Sequence, residues 1–391
     1  MKQGWEIKKL GECFEYIKNG ANIKQERGAG GIPITRIETL SGGVFNRDRL
    51  GYADIETIDK YHSYVMESGD LLLSHINSKS YIGRVVVYVK EGDETIIHGM
   101  NLLRLKVVSN LISPFYMYYY SQTHKFKSQI ANRRKDAVNQ SSISVADLKT
   151  IDVPIPSLEE QERIVAELDC LSEVIEKKRE QLKELDALAQ SIFYQMFGDP
   201  NNSIYETRNL SDLSEHKLSY GSGASAVDFD GKIRYVRITD IKDDGELQDD
   251  KVSPNVFDDK YTLNDGDILF ARSGATVGKT YQYKQKDGKA IYAGYLIRFI
   301  PNRNIVLPSY IFGYTKTNYY KAFISASAQA VAQPNINAQQ FGALKVPIPP
   351  LTLQQEFAEK IEAIEKQKEL IKQSITETEE LFNSRMDYYF N

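Results

Sequence analysis

The amino-acid sequence predicts an α+β protein with two similar mixed α/β modules in tandem, each followed by a long α-helix. Two observations lead to this prediction: a heptad pattern that occurs twice, and an internal repeat that spans most of the chain. The two helices are expected to pack as an antiparallel coiled coil with pseudo-twofold symmetry. The predicted boundaries are 1–156 and 201–349 for the modules, 157–200 for the first helix with its linker, and 350–391 for the second helix.

The first long helix is predicted over 159–197, a stretch without glycine or proline. Its apolar residues recur at alternating steps of three and four, which is typical of a coiled-coil seam. At ~1.5 Å per residue this helix would be roughly 60 Å long, and its single narrow apolar stripe requires a partner helix. The seam consists of Leu168, Leu171, Ile175, Lys178, Leu182, Leu185, Ala189, Ile192 and Met196.

The second long helix is predicted over 354–390 and repeats the pattern. Almost the same phrase introduces both helices, Val-Pro-Ile-Pro-Ser-Leu at 153–158 and Val-Pro-Ile-Pro-Pro-Leu at 346–351. A glutamine follows three residues later, and Ser157 with Glu160 predicts a capping box for the first helix. The second seam consists of Ile361, Ile364, Lys368, Ile371, Ile375, Thr378 and Phe382.

Lys178 and Lys368 occupy seam positions where a dry coiled coil would disfavour a charge. Three interpretations are open. The lysines fix the register of the helix pair, they face a partner subunit, or their ammonium groups extend to solvent along apolar stems.

The modules also match each other in order. Gly-Asp-Leu-Leu-Leu-Ser at 69–74 corresponds to Gly-Asp-Ile-Leu-Phe-Ala at 266–271, and Gly83-Arg84 corresponds to Gly278-Lys279. In the first module, β-branched runs near 71–75 and 85–89 predict a hairpin, and 114–130 predicts a helix. The second module should contain the corresponding elements, with strands near 267–272, 280–283 and 291–299 and a helix over 308–326.

The composition is that of an ordinary soluble protein, with 41% hydrophobic and 26% charged residues among 391. We expect no transmembrane helix and no signal peptide. The two cysteines do not have metal-binding spacing, and cysteine use of this kind is typical of a reducing compartment, so a cytoplasmic location is expected. The net charge of −4 mildly disfavours nucleic acid as a partner, but its distribution is uneven. Residues 124–135 hold five Lys or Arg and no acid, whereas 240–250 hold six acids.

Signatures of catalysis fail on inspection. The segment 273–280, Ser-Gly-Ala-Thr-Val-Gly-Lys-Thr, resembles a phosphate-binding loop, but the first glycine is misplaced and a strand is predicted to follow it. The glycine-containing segment 221–226 loosely matches a dinucleotide-binding fingerprint, but no βαβ unit surrounds it. The five histidines do not have the spacing of metal ligands or of a catalytic triad. We therefore expect no catalytic residue and no metal ligand in this chain.

The order of these features resembles the DNA-specificity subunit of type I restriction–modification enzymes. The marks are the start Trp5…Leu10-Gly-Glu12, the duplicated Gly-Asp-(Leu/Ile)-Leu, the duplicated Pro-Ile-Pro-x-Leu-x-x-Gln, the linker at 191–200, and the closing 381–389. Each mark is loose alone, but their duplicated order is specific and covers the whole chain.

The resemblance implies that each module is a target-recognition domain for one half of a split double-stranded DNA site. It also implies that the helices are a spacer that docks two methyltransferase subunits. Those partners carry S-adenosylmethionine and methylate adenine N6, and a motor/nuclease subunit completes the cleaving complex. This chain itself would bind no cofactor. One turn of DNA is ~34–36 Å long, so helices of the predicted length would hold the two modules about one to two turns apart. The two half-sites would then differ in sequence and be separated by base pairs of any sequence.

Polar residues in loops that match between the modules are the candidates for DNA contact, because Arg, Lys, Asn and Gln recognise base edges and phosphates. In the first module they are Arg36, His75, Asn77, Lys79, Tyr81, Arg84, Asn101, Arg133, Arg134, Lys135, Asn139, Gln140, Ser141 and Ser142. In the second module they are Arg237, Arg272, Ser273, Thr276, Lys279, Tyr295, Gln329, Gln333, Asn335 and Asn337.

Two other classes of function are weighed against a DNA-binding subunit. One is a coiled-coil adaptor that binds only protein, which the acidic net charge supports. The other is a self-sufficient DNA-modifying or nucleotide-hydrolysing enzyme, which the missing catalytic motifs disfavour. The salt dependence of DNA binding distinguishes a DNA-binding subunit from the adaptor, because phosphate contacts make DNA affinity fall steeply as salt rises.

Overall fold

The computed structural model describes residues 4–26, 30–137, 140–328 and 334–391. The chain divides into two compact units, Met1–Lys177 with Ile375–Asn391, and Lys178–Ser374. Each unit therefore contains one module and a part of both long helices. No helix in the described part of the chain combines the length and the apolar character that a membrane span requires.

The first module is built around an antiparallel four-stranded sheet of order β2-β9-β6-β8, with three smaller sheets and three short helices. Its strands are β1 (Glu6–Lys9), β2 (Phe14–Asn19), β3 (Gln25–Glu26), β4 (Ile32–Ile34), β5 (Gly51–Ala53), β6 (Leu71–Ser74), β7 (Ile76–Asn77), β8 (Val85–Val87), β9 (Leu102–Val107), β10 (Lys135–Asp136), β11 (Ser141–Ser142) and β12 (Asp152–Ile155). Its helices are α1 (Pro114–Gln122), α2 (His124–Arg133) and α3 (Val145–Lys149).

The first long helix, α4 (Leu158–Phe197), leads into a second module with the same plan. Its strands are β13 (Thr207–Asn209), β14 (Ser219–Tyr220), β15 (Ala226–Asp228), β16 (Arg234–Val236), β17 (Val252–Pro254), β18 (Ile268–Ala271), β19 (Thr280–Gln282), β20 (Ala290–Tyr292), β21 (Leu296–Phe299) and β22 (Lys345–Pro347). Its helices are α5 (Pro308–Tyr314), α6 (Asn318–Ala328) and α7 (Ala338–Gly342), followed by the second long helix α8 (Leu351–Phe390).

The strand order β14-β21-β18-β19 of the second module repeats that of the first. The prediction of two tandem mixed modules, each followed by a long helix, is thereby confirmed. The repeated Gly-Asp motifs lie at equivalent places. Each leads into a central strand, β6 or β18, that pairs with a strand containing an arginine, Arg104 in β9 and Arg298 in β21.

A buried ion pair accounts for the aspartate in each of the two Gly-Asp motifs. The carboxylate of Asp70 is 2.7 Å from Nη2 of Arg104 and accepts a hydrogen bond from the Glu67 amide at 2.6 Å. In the second module, Asp267 makes the same two contacts with Arg298 at 2.5 Å and with the Asn264 amide at 2.7 Å. A buried charge without a partner is strongly destabilising, so the two residues of each pair are required together.

A buried glutamine joins each module to its long helix. In α4, Nε2 of Gln161 donates to the carbonyls of Leu111 (2.9 Å) and Pro156 (3.0 Å), and Oε1 accepts from the Ser113 amide at 2.8 Å. The side chain is fully buried. These contacts hold the first turn of the long helix against the segment that leads into α1.

Gln354 repeats this arrangement in the second unit. Its Nε2 donates to the carbonyls of Ile305 (3.1 Å) and Pro349 (2.8 Å), and its Oε1 accepts from the Leu307 amide at 2.8 Å. It too is fully buried. The glutamine of the repeated Pro-Ile-Pro phrase is therefore a structural anchor.

In the first unit, the start of α4 packs against the end of α8. Glu167 forms an ion pair with Arg385 and accepts a hydrogen bond from Tyr389. The apolar side of this contact continues into the core of the module, through Ile164, Leu168, Met386 and Phe390.

In the second unit, the end of α4 packs against the start of α8 in antiparallel fashion. Lys178 donates to the carbonyl (3.1 Å) and the hydroxyl (2.7 Å) of Ser374, and Lys368 contacts Asp186 at 2.8 Å and Glu365 at 3.3 Å. Burial alone would lower the pKa of Lys368, but its carboxylate neighbours raise it to about 12. Both seam lysines thus bond across the helix pair, which favours the interpretation that they fix its register.

Some predicted elements differ in their extent. The helix predicted over 114–130 is two helices, because Thr123 ends the first and caps the second by accepting from the Phe126 amide at 3.2 Å. Thr317 does the same between α5 and α6, where it accepts from the Tyr320 amide at 3.3 Å. The hairpin of β6 and β8 is confirmed. Ser157 caps α4 as predicted, since its hydroxyl accepts from the Glu160 amide at 3.3 Å.

The glutamine anchor can be tested with two neighbouring glutamines, of which Gln354 is buried and Gln355 is exposed. We expect Gln354→Leu to lower the free energy of unfolding by about 2–4 kcal/mol, because it leaves buried backbone groups without partners. Gln355→Leu should change it by less than about 0.5 kcal/mol. Urea denaturation of the full chain, followed by circular dichroism, measures both; equal effects would contradict the anchor.

Candidate nucleic-acid interface

In both modules the loop after the central strand lies beside the polar segment that precedes a short helix. The carbonyl of His75 accepts from the Ile143 amide at 2.9 Å, and the carbonyl of Arg272 accepts from the Ile336 amide at 2.8 Å. His75 and Arg272 are therefore equivalent positions. Most candidate residues of each module come from these two loops, and the fold brings many of them together.

In the first module, a small sheet of β7, β11 and β10 assembles the candidates. Asn77 pairs with Ser141, and Ser142 pairs with Lys135. The short strands fix the backbone of four predicted residues, of which Ser141 is buried at 1% exposure and Lys135 is exposed.

Asp136 is the centre of this cluster, and the sequence analysis missed it. Its carboxylate accepts from the Ser141 hydroxyl at 2.6 Å and forms ion pairs with Lys79 at 3.0 Å and Arg134 at 3.1 Å. The hydrogen bond from Ser141, together with Lys79, lowers the pKa of this carboxyl. An acidic residue beside a run of basic residues does not look like part of a DNA-binding surface in the sequence. Here it orients the side chains of Lys79 and Arg134.

A cleft of about 620 Å³ adjoins the cluster and is lined by Lys79, Tyr81, Arg84, Lys127 and Arg134, among others. The guanidinium of Arg84 lies 4.4 Å from the ring centroid of Tyr81 and donates to the Leu40 carbonyl at 3.2 Å. Tyr81 is 47% exposed. The cleft therefore presents several cations and an aromatic face to solvent.

Other candidates of the first module lie apart from this cluster or are already engaged. His75 is only 8% exposed, and burial lowers the pKa of its imidazole, so this placement argues against a direct DNA contact. Arg133 donates to the hydroxyl of Thr150 at 2.8 Å and to the Gln129 carbonyl at 3.1 Å, which turns it toward its own module. Arg36 lies 3.9 Å from Glu38.

Asn101 lies in a turn, and Gln140 directly precedes β11. Asn101 has a φ of +77°, a left-handed conformation that asparagine tolerates better than most residues. Gln140 is exposed, and its carbonyl accepts from the Ala137 amide at 2.8 Å. Asn139, Gln329 and Gln333 lie outside the described residues.

In the second module, Arg272 is held from two sides. Its Nε donates to Oδ1 of Asn335 at 3.2 Å, and its guanidinium lies 4.8 Å from the ring centroid of Tyr220. The hydroxyl of Tyr220 accepts from the Ala338 amide at 3.0 Å. The sequence analysis missed Tyr220, because it comes from a distant strand with no matching phrase in the first module.

The remaining candidates of this module surround Arg272 or have local partners. Ser273 bridges to Asn335 along the backbone, and the Thr276 hydroxyl donates to the Ser273 carbonyl at 3.2 Å. Tyr295 is 62% exposed, and its carbonyl accepts from the Arg272 amide at 3.1 Å.

Three further candidates are engaged by their own module. Asn337 caps α7 by accepting from the Gln340 amide at 2.9 Å. Lys279 is paired with Asp243 at 2.9 Å, and Arg237 with Asp240 at 2.7 Å. Part of the acidic stretch thus neutralises cations of its own module.

The segment that resembles a phosphate-binding loop has another conformation. Gly274–Thr276 forms one short 3-10 turn, and Thr280 begins strand β19, as the sequence analysis expected. A phosphate-binding loop requires a helix at this point. Within the described ranges, no group of three or more His, Cys, Asp or Glu is placed to hold a metal ion.

Comparison with known proteins gives a consistent result. The family model described as the type I restriction modification DNA specificity domain matches residues 2–187 and again 202–380. The MjaX specificity subunit of Methanocaldococcus jannaschii, assigned to a type I restriction enzyme, is 29% identical over 382 residues, covering 93% of this chain and 87% of that protein. The StySPI specificity subunit of Salmonella potsdam is 21% identical, with 93% and 82% covered.

Solved structures show the same fold. The crystal structure of a type I restriction–modification system S subunit from M. genitalium matches with a TM-score of 0.57 at 15% identity, covering 98% of this chain and 95% of that one. A chain from a structural study of the assembly and conformational transition of the type I system matches with a TM-score of 0.56 at 14% identity, covering 100% and 98%.

The loop that carries Arg272 and Lys279 can be tested with two glycines. Both have positive φ, but a Cβ at Gly278 would lie 2.7 Å from Cγ2 of Ile324, whereas a Cβ at Gly274 would meet no described atom within 4 Å. We expect Gly278→Ala to lower the free energy of unfolding by about 2–4 kcal/mol, because strain and overpacking add. Gly274→Ala should cost only about 1–2 kcal/mol from strain. Denaturant unfolding of the full chain measures the difference, and a reversed order would contradict this packing.

Proposed function

The chain belongs to the type I restriction–modification DNA specificity family, and from this premise we propose that its two modules recognise the two halves of one split double-stranded DNA site. The chain is a DNA specificity subunit and is non-catalytic, since the catalytic activities of such systems lie in partner subunits. The observation that supports the split site is the duplication of one loop arrangement, which presents different side chains in each module.

The proposed contacts of the first module are the cluster around Asp136 and the adjoining cleft. Lys79, Arg84 and Arg134 supply positive charge for phosphates, while Asn77 and Gln140 have the amides that recognise adenine. In the second module the proposed contacts centre on Arg272, with Ser273, Thr276, Tyr295 and Asn335 beside it. Because these sets differ, the two half-sites should differ in sequence.

The proposed partners are two methyltransferase subunits and, through them, motor/nuclease subunits. In this proposal the partners bind S-adenosylmethionine and methylate adenine, and this chain binds no cofactor. The exposed sides of α4 and α8 are the proposed docking surface, because charged residues fill the positions outside the seam. Since the substrate is chromosomal DNA, the proposed location is the cytoplasm.

The central experiment is co-expression of the chain with its candidate methyltransferase subunit, followed by mapping of methylated adenines across a genome. We expect one split, asymmetric motif. Replacing residues 1–156 by the equivalent module of a relative should change one half of the motif and leave the other unchanged. A complex that forms but methylates without a split motif would contradict the proposal.

The adaptor alternative predicts a different salt dependence. A chain that neutralises phosphates loses DNA affinity steeply as salt rises, with a slope of about −0.9 per phosphate contact on logarithmic axes. Titration of the co-expressed complex against duplex DNA at several salt concentrations measures this slope. A slope near zero would favour an adaptor that binds only protein.

Two neighbouring arginines provide a matched test of the first module. We expect Arg134→Ala to weaken binding to all sequences alike and to reduce the salt slope by about 1, because Arg134 lines the cleft and would contact a phosphate. Arg133→Ala should leave the slope unchanged, because Arg133 is engaged by Thr150. Equal effects of the two substitutions would contradict this assignment.

Gln140 provides the test of base recognition. We expect Gln140→Ala to relax one position of one half-site by about 5–150-fold while the salt slope stays constant, since loss of a bidentate base contact costs about 1–3 kcal/mol of discrimination. Binding curves against a panel of single-base variants measure it. Uniform weakening across the panel would show that Gln140 does not discriminate bases.

A further inference from the structure

We propose that Arg272 recognises a guanine in the half-site of the second module, with Tyr220 as its positioning residue. The inference rests on the proposed function and deepens it, because it names the base that this part of the surface selects. It starts from the way in which the guanidinium of Arg272 is held.

A guanidinium has five N–H donors in one plane, and the contacts of Arg272 use only part of them. Nε donates to Oδ1 of Asn335 at 3.2 Å, and Cζ lies over the ring of Tyr220, 4.8 Å from its centroid. Among the described residues, the two terminal nitrogens make no hydrogen bond. Within the described ranges, the terminal edge of the group is thus open to a ligand, while Nε is bonded to Asn335 and Cζ lies beside Tyr220.

The geometry of that edge suits guanine. O6 and N7 of guanine are two adjacent acceptors in the major groove, and a paired donor edge binds both at once. Adenine offers a donor next to its acceptor at the same place, so an arginine fork discriminates against it. A phosphate also accepts a fork, but it carries no sequence information.

The groups that hold Arg272 are themselves fixed. Tyr220 ends strand β14, which pairs with β21, and its hydroxyl accepts from the first amide of α7 at 3.0 Å. Asn335 bridges to Ser273, and the next residue, Ile336, donates its amide to the carbonyl of Arg272. A side chain held by regular elements loses less conformational freedom on binding, which favours a specific base contact.

At the position that matches Arg272, the first module has a histidine. His75 occupies the matching position and is 8% exposed, and its ring has no guanidinium fork. We therefore expect the guanine contact in only one half-site, so that the motif is asymmetric at this point.

The test uses the full chain in complex with its co-expressed methyltransferase subunit. For Arg272→Ala we expect methylation at sites with any base at one guanine position of one half-site, a loss of discrimination of about 10–100-fold. Arg272→Lys keeps the charge but loses the fork, so it should relax the same position. The other half-site should be unchanged in both variants.

Tyr220 separates positioning from contact. Tyr220→Phe keeps the aromatic ring beside Arg272 but loses the hydroxyl that accepts from the Ala338 amide, so it should relax the guanine position slightly. Tyr220→Ala loses both contacts and should relax the same position more than Tyr220→Phe, though less than Arg272→Ala. A duplex with 7-deazaguanine at that position should bind the wild-type complex more weakly and the Arg272→Ala complex unchanged, because it lacks the N7 acceptor. A thermal unfolding midpoint within about 3 °C of wild type shows that a variant is folded.

Each other outcome overturns the inference in a distinct way. If Arg272→Ala and Arg272→Lys keep every base preference and only affinity falls, Arg272 contacts a phosphate. If the wild-type motif has no guanine in the half-site of the second module, no such contact exists. If the wild-type complex yields no split motif at all, the proposed function fails before the question of guanine arises.

Discussion

The fully buried amides of Gln161 and Gln354 are the constraint on which the architecture depends. Each amide satisfies three backbone groups at once, where the extended Pro-Ile-Pro segment, the entry to a module helix and the first turn of a long helix meet. An unsatisfied buried backbone group is costly, so few other residues could serve here. The anchor holds the first turn of each long helix against its module.

The same frame carries two different surfaces. The buried Asp–Arg pairs, the glutamine anchors and the threonine breaks between module helices occur once in each copy, with nearly equal distances. The loops beside them diverge, since a carboxylate organises the cations of the first module and an aromatic face organises the arginine of the second. Fixed packing beneath variable loops allows new specificities to arise without loss of the fold.

The sequence was sufficient for the architecture because periodicity and duplication are local signals that tertiary contacts rarely override. It also predicted candidate residues in matching loops, and the structure brings two of those loops together in each module. It could not identify Tyr220 or Asp136, whose roles depend on contacts between segments that no motif links. Nor could it show that His75 is buried and that Arg133 bonds Thr150, because the side a loop residue faces depends on packing rather than on residue type.

The division of the chain has a consequence for its synthesis. Met386, Tyr389 and Phe390, at the far end of α8, belong to the core of the first module. That module is made first, but its core is closed by residues that leave the ribosome more than two hundred positions later. During translation the first module therefore exposes an apolar face until the second has been completed. The core of the first module can thus be completed only after the last turns of α8 have been synthesised.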